Sequence, residues 1–293
     1  MSLQDYAIGE ALKDLREYKK ISIEELTKDI CSEDEYKLFE RESKYPTIDQ
    51  LHSLAGRLNV DLNYFFTLAT KSYHSYSDTI ADLISKYKKE RNYIAISKII
   101  EKEKNNPIFM QTELKQYLLW HEGICVYYLE SDISKAEKLL YQAIDLTNPK
   151  RDDMTERELE ILTSIAILQK EEKNYREAIS LFTKAYNFFQ NLPEILNPKA
   201  YLRVLFGLSQ ALTLEGEYED SLVYSTEGIA ICLHYETLYT LAELHYQTGF
   251  TYLKLEEFKK GNYFIKEAHH LFELQGNQKM AEILKIKMEN LMD

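Results

Sequence analysis

Apolar residues recur along most of this chain at three- and four-residue intervals, the spacing that lines one face of an α-helix. Ile8, Leu12 and Leu15 predict a first helix from Ile8 to Lys19. Arg16, Lys19 and Lys20 close it, complementing the negative end of the helix dipole. Ser22-Ile23-Glu24-Glu25 and Ser32-Glu33-Asp34-Glu35 each put a hydroxyl at an N-cap and a carboxylate three residues on, the capping-box pattern. They predict a second helix carrying Leu26 and Ile30, and a third carrying Tyr36, Leu38 and Phe39 and ending near Glu42. Two short helices joined by a tight turn form a helix-turn-helix. Past Tyr45-Pro46-Thr47, the residues Ile48, Leu51, Leu54, Ala55 and Leu58 keep helical phase, and Asn59-Val60-Asp61-Leu62-Asn63 restarts the chain into Tyr64-Phe65-Phe66.

From about residue 75 onward the pattern repeats. A large residue stands three before a second, mostly small one at Tyr93/Ile96, Ile133/Ala136, Tyr175/Ala178, Tyr218/Ser221 and Phe258/Gly261, at intervals of 40, 42, 43 and 40 residues. A period near 40 with two helices per unit is the signature of an α-solenoid. Five helix pairs and a final helix from about Gln278 to Met292 fill the remaining length. In that last helix Ile283, Ile286 and Leu291 are expected on one side, as a solvating cap. The fold class expected is all-α: a repressor-like helix-turn-helix domain at 1–66, a linker at 67–77 and an α-solenoid at 78–293. Thr67-Leu68-Ala69-Thr70 suits a linker helix, and Ser72-Tyr73-His74-Ser75-Tyr76-Ser77 suits a break before the repeats.

Composition sharpens this reading. With 9 Gly and 5 Pro in 293 residues, turn formers are scarce, which favours helices. No apolar stretch reaches the length of a membrane span, and the N-terminus has no basic segment leading into an apolar run, so no membrane association and a cytoplasmic location are expected. Cys31, Cys125 and Cys232 are odd in number and far apart, which fits a reducing compartment and small buried hydrophobes. The net charge of −12 argues against a protein that coats nucleic acid non-specifically. The first 66 residues hold 9 Lys+Arg and 14 Asp+Glu, so the N-terminal module itself is acidic.

The string Leu15-Arg16, Ile23-x-x-Leu26, Phe39-Glu40, Tyr45-Pro46-Thr47, Leu51, Ala55, Leu58, Val60 and Phe65-Phe66 resembles the phage-repressor (Cro/C1, or XRE) helix-turn-helix domain over nearly all of residues 5–66. In that family the third helix enters the major groove. The resemblance implies that Ser32, Glu33, Asp34, Tyr36, Lys37 and Arg41 face double-stranded operator DNA, with Arg16, Lys19, Ser22, Lys44 and Thr47 on phosphates. The chain departs from the family in two places. Glu33-Asp34-Glu35 stands where Gln, Ser or Arg is usual: carboxylates can accept from cytosine N4 but repel phosphate, so modest, steeply salt-dependent affinity is expected. They would equally serve only to cap the helix N-terminus. Glu42-Ser43 replaces the usual Gly after the third helix, so an altered turn is expected.

Each later unit resembles a tetratricopeptide repeat with lengthened helices, most clearly Glu158–Phe189 with Ala166, Asn174-Tyr175-Arg176-Glu177-Ala178, Phe182 and Ala185. Trp120 matches the tryptophan of the first helix of a repeat, and Gly249 its close-packing position. Together with Glu217-Tyr218 and Lys254-Leu255-Glu256, the architecture resembles the PlcR-type regulators of Gram-positive bacteria, in the peptide-pheromone receptor group that also includes the Rap, NprR, PrgX and Rgg types. The resemblance implies a quorum-sensing transcription regulator, a homodimer that binds operator DNA and holds a short signalling peptide in the repeat groove. Counting back from each signature, the groove-facing candidates are Lys88 and Arg91, His121 and Tyr128, Thr163 and Ser164, then Arg203, Phe206, Gly207 and Gln210, and finally Glu243, Tyr246, Gln247 and Phe250. The cations are candidate carboxylate clamps and the aromatics candidate pockets. Some relatives hold the peptide backbone with paired Asn residues; the matching positions here are Ser164 and Gly207, so Gln210 and Gln247 are the alternative grip.

Two other readings compete: a protein–protein adaptor whose helix-turn-helix no longer binds DNA, and a Rap-like phosphatase or inhibitor of a response regulator, which residues 8–66 count against. His121-Glu122-x-x-Cys125 resembles a zincin motif with Cys for the second His, but no third ligand is evident. His269 and His270 are adjacent on a helix and face different ways. No phosphate loop, nucleophile elbow or catalytic constellation is present, so neither a cofactor nor an enzymatic activity is expected.

Overall fold

The structure is a computed structural model that describes residues 8–65, 76–192, 195 and 197–289, with side chains through Ile286. Of the linker expected at 67–77, residues 67–75 lie outside the described residues, as do Phe66, Leu291 and Met292, while Tyr76 and Ser77 open a helix rather than a break. Among the described residues there is no strand: the chain is all-helical, with tetratricopeptide-like helix pairs. Contacts divide it into two compact units, residues 1–89 and 90–293.

The first unit holds α1 (Ile8–Lys19), α2 (Ile23–Thr27), α3 (Glu33–Glu40) and α4 (Ile48–Arg57), one helical turn at residues 62–65, and α5 (Tyr76–Lys89). Ile8, Leu12, Leu26, Tyr36, Phe39, Leu51, Leu54, Leu58 and Phe65 form its core. Gly9 permits the tight crossing of α1 over α3, because a Cβ there would stand 2.1 Å from the Phe39 carbonyl oxygen. Ser22 and Ser32 cap α2 and α3 as their sequence predicts, accepting from the backbone N–H of Glu25 at 3.1 Å and of Glu35 at 3.2 Å. Only this half of each box forms. The reciprocal box closes instead at Thr47 and Gln50, which opens α4. Arg57 on α4 donates to the carbonyls of Glu25, Leu26 and Lys28, which caps the end of α2 from outside it. The turn after α3 keeps the left-handed geometry that glycine usually supplies: Glu42 holds φ 56°, and Glu42 N–H and Ser43 N–H donate back to Phe39 and Leu38.

The second unit opens with α6 (Tyr93–Glu103). The pairs α7 (Thr112–Glu130) and α8 (Ile133–Asp145), α9 (Glu156–Glu171) and α10 (Tyr175–Gln190), α11 (Pro198–Glu215) and α12 (Tyr218–His234), α13 (Leu241–Lys254) and α14 (Phe258–Leu274) follow, and α15 (Gln278–Glu289) closes it. Every signature residue read from the sequence is the first residue of a helix: Tyr93 opens α6, and Ile133, Tyr175, Tyr218 and Phe258 open the second helices of the four pairs. Ile96 is buried, and the partners Ala136, Ala178, Ser221 and Gly261 are each buried against the preceding helix. A continuous apolar core runs from Trp120 to Leu212, as stacked repeats require, since no single pair buries its own apolar face. The closing helix differs from expectation. Its buried face is Ala281 and Leu284, packed with Ala268 and Phe272, while Ile283 and Ile286 are exposed, because the 281/284 face of α15 is the one turned to α14.

Candidate functional site

The outward face of α3 is set by the core beneath it. Tyr36 and Phe39 point inward, so Glu33, Asp34, Lys37, Leu38 and Arg41 are left facing away from it. Tyr36 was expected to face DNA, and this is corrected: its ring is completely buried and its hydroxyl donates to the Leu12 carbonyl at 3.4 Å. Burial pushes its phenol well above the ordinary tyrosine range. Leu38, 41% exposed, takes the outward place. The sequence held the clue, since Leu38 shares a helical face with Asp34 and Arg41 and not with Tyr36 and Phe39. Arg16 is also corrected as a phosphate contact. Its Nε donates to Glu40 Oε1 at 2.7 Å, with both side chains largely covered, and that pair ties α1 to α3 and holds the guanidinium pKa up. Lys37 pairs with Asp34 at 3.2 Å and with Glu33, and Lys44 pairs with Glu35. Lys19 is half-buried, while Ser22, Ser32, Arg41 and Thr47 are exposed. Each capping hydroxyl accepts a backbone N–H and so retains its own O–H as a donor.

In the second unit the helix pairs bring together a wall from the first helices of successive pairs. On α11, Lys199, Arg203, Phe206 and Gln210 share one face, all but Lys199 half-buried. Counting back one repeat from Arg203 and Gln210 leads to Glu160 and Lys170 on α9. Arg203 Nη2 donates to Glu160 Oε1 at 2.8 Å, and Lys170 Nζ donates to Gln210 Oε1 at 2.6 Å. On α13, Tyr246 stacks with Phe250 at 6.1 Å between ring centroids, and Glu243 stands on the same face. The Glu243 carboxyl is pushed up by burial, and its Oε2 is buried without a hydrogen-bond partner, as is Arg203 Nε. At the other end of the wall, Tyr128 stacks on Tyr93 at 4.1 Å and donates to Glu171 at 2.9 Å. Arg91 is exposed in the turn before α6, at φ 54°. Lys88 lies half-buried on α5 of the first unit.

Five groove candidates are interior residues, and each is corrected for a stated reason. His121 is 1% exposed, with its ring against Tyr117 and Trp120 and Nδ1 at 2.9 Å from the Tyr117 carbonyl. Thr163 is buried, its hydroxyl donating to the Leu159 carbonyl. Ser164 is buried as the acceptor of Trp120 Nε1 at 2.9 Å. Gly207 turns toward the preceding pair, where a Cβ would meet the Phe182 ring at 2.4 Å. Gln247 is spent in a buried network, donating to Thr213 Oγ1 at 2.7 Å beside Ser209, Ser221 and Thr251. On α9 the count from the helix signature was out of phase by three to six residues: Glu160 and Lys170 occupy the wall, and Thr163 and Ser164 the core behind it. The repeat interval taken from Arg203 and Gln210 would have found them.

Cys125 and Cys232 are buried, Cys31 is half-buried, and none forms a disulfide. Among the described residues no group of three or more His, Cys, Asp or Glu side chains could hold a metal ion, and no helix is long and apolar enough to cross a membrane.

Residues 81–292 match the model of the RNPP family C-terminal domain. That is well over half of the 293 residues. The chain belongs to the RNPP family. No curated protein sequence matches it. Among solved structures, it resembles PlcR of Bacillus thuringiensis in complex with the peptide PapR7 and DNA, at 23% identity and TM-score 0.79 over 95% of this chain and 99% of that one. ComR from S. thermophilus in complex with DNA and its signalling peptide ComS matches at 16% identity and TM-score 0.65, over 97% and 99%. The SHP pheromone receptor Rgg2 of Streptococcus dysgalactiae matches at 15% identity and TM-score 0.66, over 97% and 99%. At these identities the likeness establishes the RNPP-type fold.

Proposed function

We propose that this RNPP-family chain is a peptide-responsive transcription regulator rather than an enzyme, working inside the cell as a homodimer. Helices α2 and α3 act as the helix-turn-helix. Leu38 and Arg41 read base edges, Leu38 against a thymine methyl and Arg41 against a purine. Glu33, Asp34 and Lys37 flank them, while Ser22, Ser32, Lys19, Lys44 and Thr47 donate to phosphates. The wall formed by α9, α11 and α13 binds a short signalling peptide through Arg203, Phe206, Gln210, Glu243, Tyr246 and Phe250, with Tyr128 and Arg91 as further contacts. The peptide acts by binding one of two arrangements of the dimer better than the other.

The observation that carries this reading is the family match over 81–292, joined to an N-terminal helix pair whose second helix presents an uncovered face. In-vitro selection of random duplex DNA with the full-length chain tests it. An enriched motif that is lost in Arg41→Ala supports it, and no enrichment by folded protein refutes it.

The adaptor reading is favoured by one feature. Lys37 and Lys44 are already neutralised by Glu33, Asp34 and Glu35. Under that reading the same selection returns no motif, at low salt as at high.

A further inference from the structure

Lys170 is unusual for a lysine. It lies near the end of α9 and is largely covered, yet the partner it meets is a neutral amide: Nζ donates to Gln210 Oε1 at 2.6 Å. Among the described residues it forms no ion pair. The two carboxylates next to it in sequence are held elsewhere, Glu171 by the Tyr128 hydroxyl at 2.9 Å and Glu172 by the Tyr127 hydroxyl at 2.8 Å. Burial pushes the Lys170 ammonium pKa down and outweighs the opposing pull of the Glu171 carboxylate. A largely covered ammonium with no carboxylate bonded to it is costly, and folds rarely retain one by default.

The chemistry left over is all of one kind. An ammonium has three N–H donors, and one is used. The Gln210 amide oxygen is occupied by Lys170, so its NH2 group is what remains to offer a ligand. The two side chains come from helices one repeat apart, on the wall that carries Arg203 and Phe206. Arg203 does not supply this function, because its charge is already balanced by Glu160 at 2.8 Å.

We propose that Lys170 and Gln210 form a carboxylate-recognising subsite, with one ligand oxygen on the ammonium and the other on the amide N–H. This rests on the peptide-binding reading and deepens it: the anion is a carboxylate of the bound peptide, at its C-terminus or on a side chain.

The test uses immobilised full-length protein and three synthetic heptapeptide pools: one without Asp or Glu and with a free C-terminal carboxyl, the same pool amidated, and an amidated pool with one Asp per peptide. Retention is read by mass spectrometry. Wild type is expected to retain the free-acid or the Asp pool about tenfold over the amidated pool, the scale of one charge-assisted hydrogen bond. The pool preferred identifies which carboxylate is read. Lys170→Gln is expected to abolish the preference and Gln210→Leu to reduce it. Equal retention of all three pools, or a preference that survives in Lys170→Gln, overturns the subsite while leaving peptide binding intact. Retention of none by wild type removes the peptide reading and the subsite with it. Lys170→Met separates a ligand role from a structural one: its melting temperature is expected to equal or exceed that of wild type, since a desolvated charge is removed, and a marked fall overturns the proposal.

Discussion

The outward face of α3 and the wall of α9, α11 and α13 handle charge in opposite ways. On α3 the lysines lie in water and are answered by carboxylates one turn away on the same helix, or from Glu35 to Lys44. Such exposed pairs are each worth about 0–1 kcal/mol and dissolve readily in favour of a stronger partner. On the wall, Lys170 is largely covered and its hydrogen-bond partner is an amide. There the desolvated charge has no ion-pair partner among the described residues. The first region can exchange its own acids for a polyanion at small cost and with strong salt dependence. The second is built to receive one anion in one geometry.

The largest effect separates what α3 hides from what it shows. Tyr36→Ala is expected to destabilise the first unit by about 3–5 kcal/mol, because a fully buried ring is removed. Leu38→Ala, two residues on, should change stability by no more than about 0.5 kcal/mol and yet weaken binding to a selected duplex. Urea unfolding and anisotropy read the two quantities separately; a Leu38→Ala variant that unfolds as easily as Tyr36→Ala would erase the distinction.

Next, Gly207→Val forces a side chain into the Phe182 ring. It should cost roughly 1–3 kcal/mol by calorimetry, as overpacking does. A neutral outcome would return Gly207 to the groove.

The difference in stability between Lys170→Met and wild type should depend on pH. The folded Lys170 pKa is depressed, so in the window between it and the ordinary lysine value of 10.5 the unfolded chain binds more protons. Wild-type stability therefore gains from this group as pH rises through that window. The advantage of Lys170→Met is largest below it and shrinks toward pH 10.5. A difference that is constant with pH contradicts a desolvated ammonium. The smallest effect belongs to α3: Glu35→Gln releases Lys44 and should alter stability by about 0–1 kcal/mol while steepening the salt dependence of DNA binding.

Much of the fold was legible because helical phase and repeat period are local signals. The start and end of α1, the caps at Ser22 and Ser32, and the starts of α6, α8, α10, α12 and α14 were read from residue spacing. What escaped depends on partners distant in sequence. Tyr36 looked outward because the family resemblance placed the whole third helix in DNA, whereas the Leu12 carbonyl and the core of α1 claim its side chain. Arg16 looked free because Glu40, its partner, is 24 residues away. Thr163 and Ser164 were chosen by a count within one helix that ignored which face Trp120 would claim. Lys170 carried no motif at all; only its covering and its pairing with a residue 40 positions on distinguish it.

The measurement closest to the central claim is anisotropy of a duplex recovered by in-vitro selection, titrated with the full-length chain with and without a peptide retained on the wall. A peptide-responsive regulator predicts that the peptide shifts the DNA affinity, and by linkage that the duplex shifts the peptide affinity by the same factor. In Lys170→Gln the same shift should require about tenfold more peptide. DNA affinity unchanged by saturating peptide would contradict it.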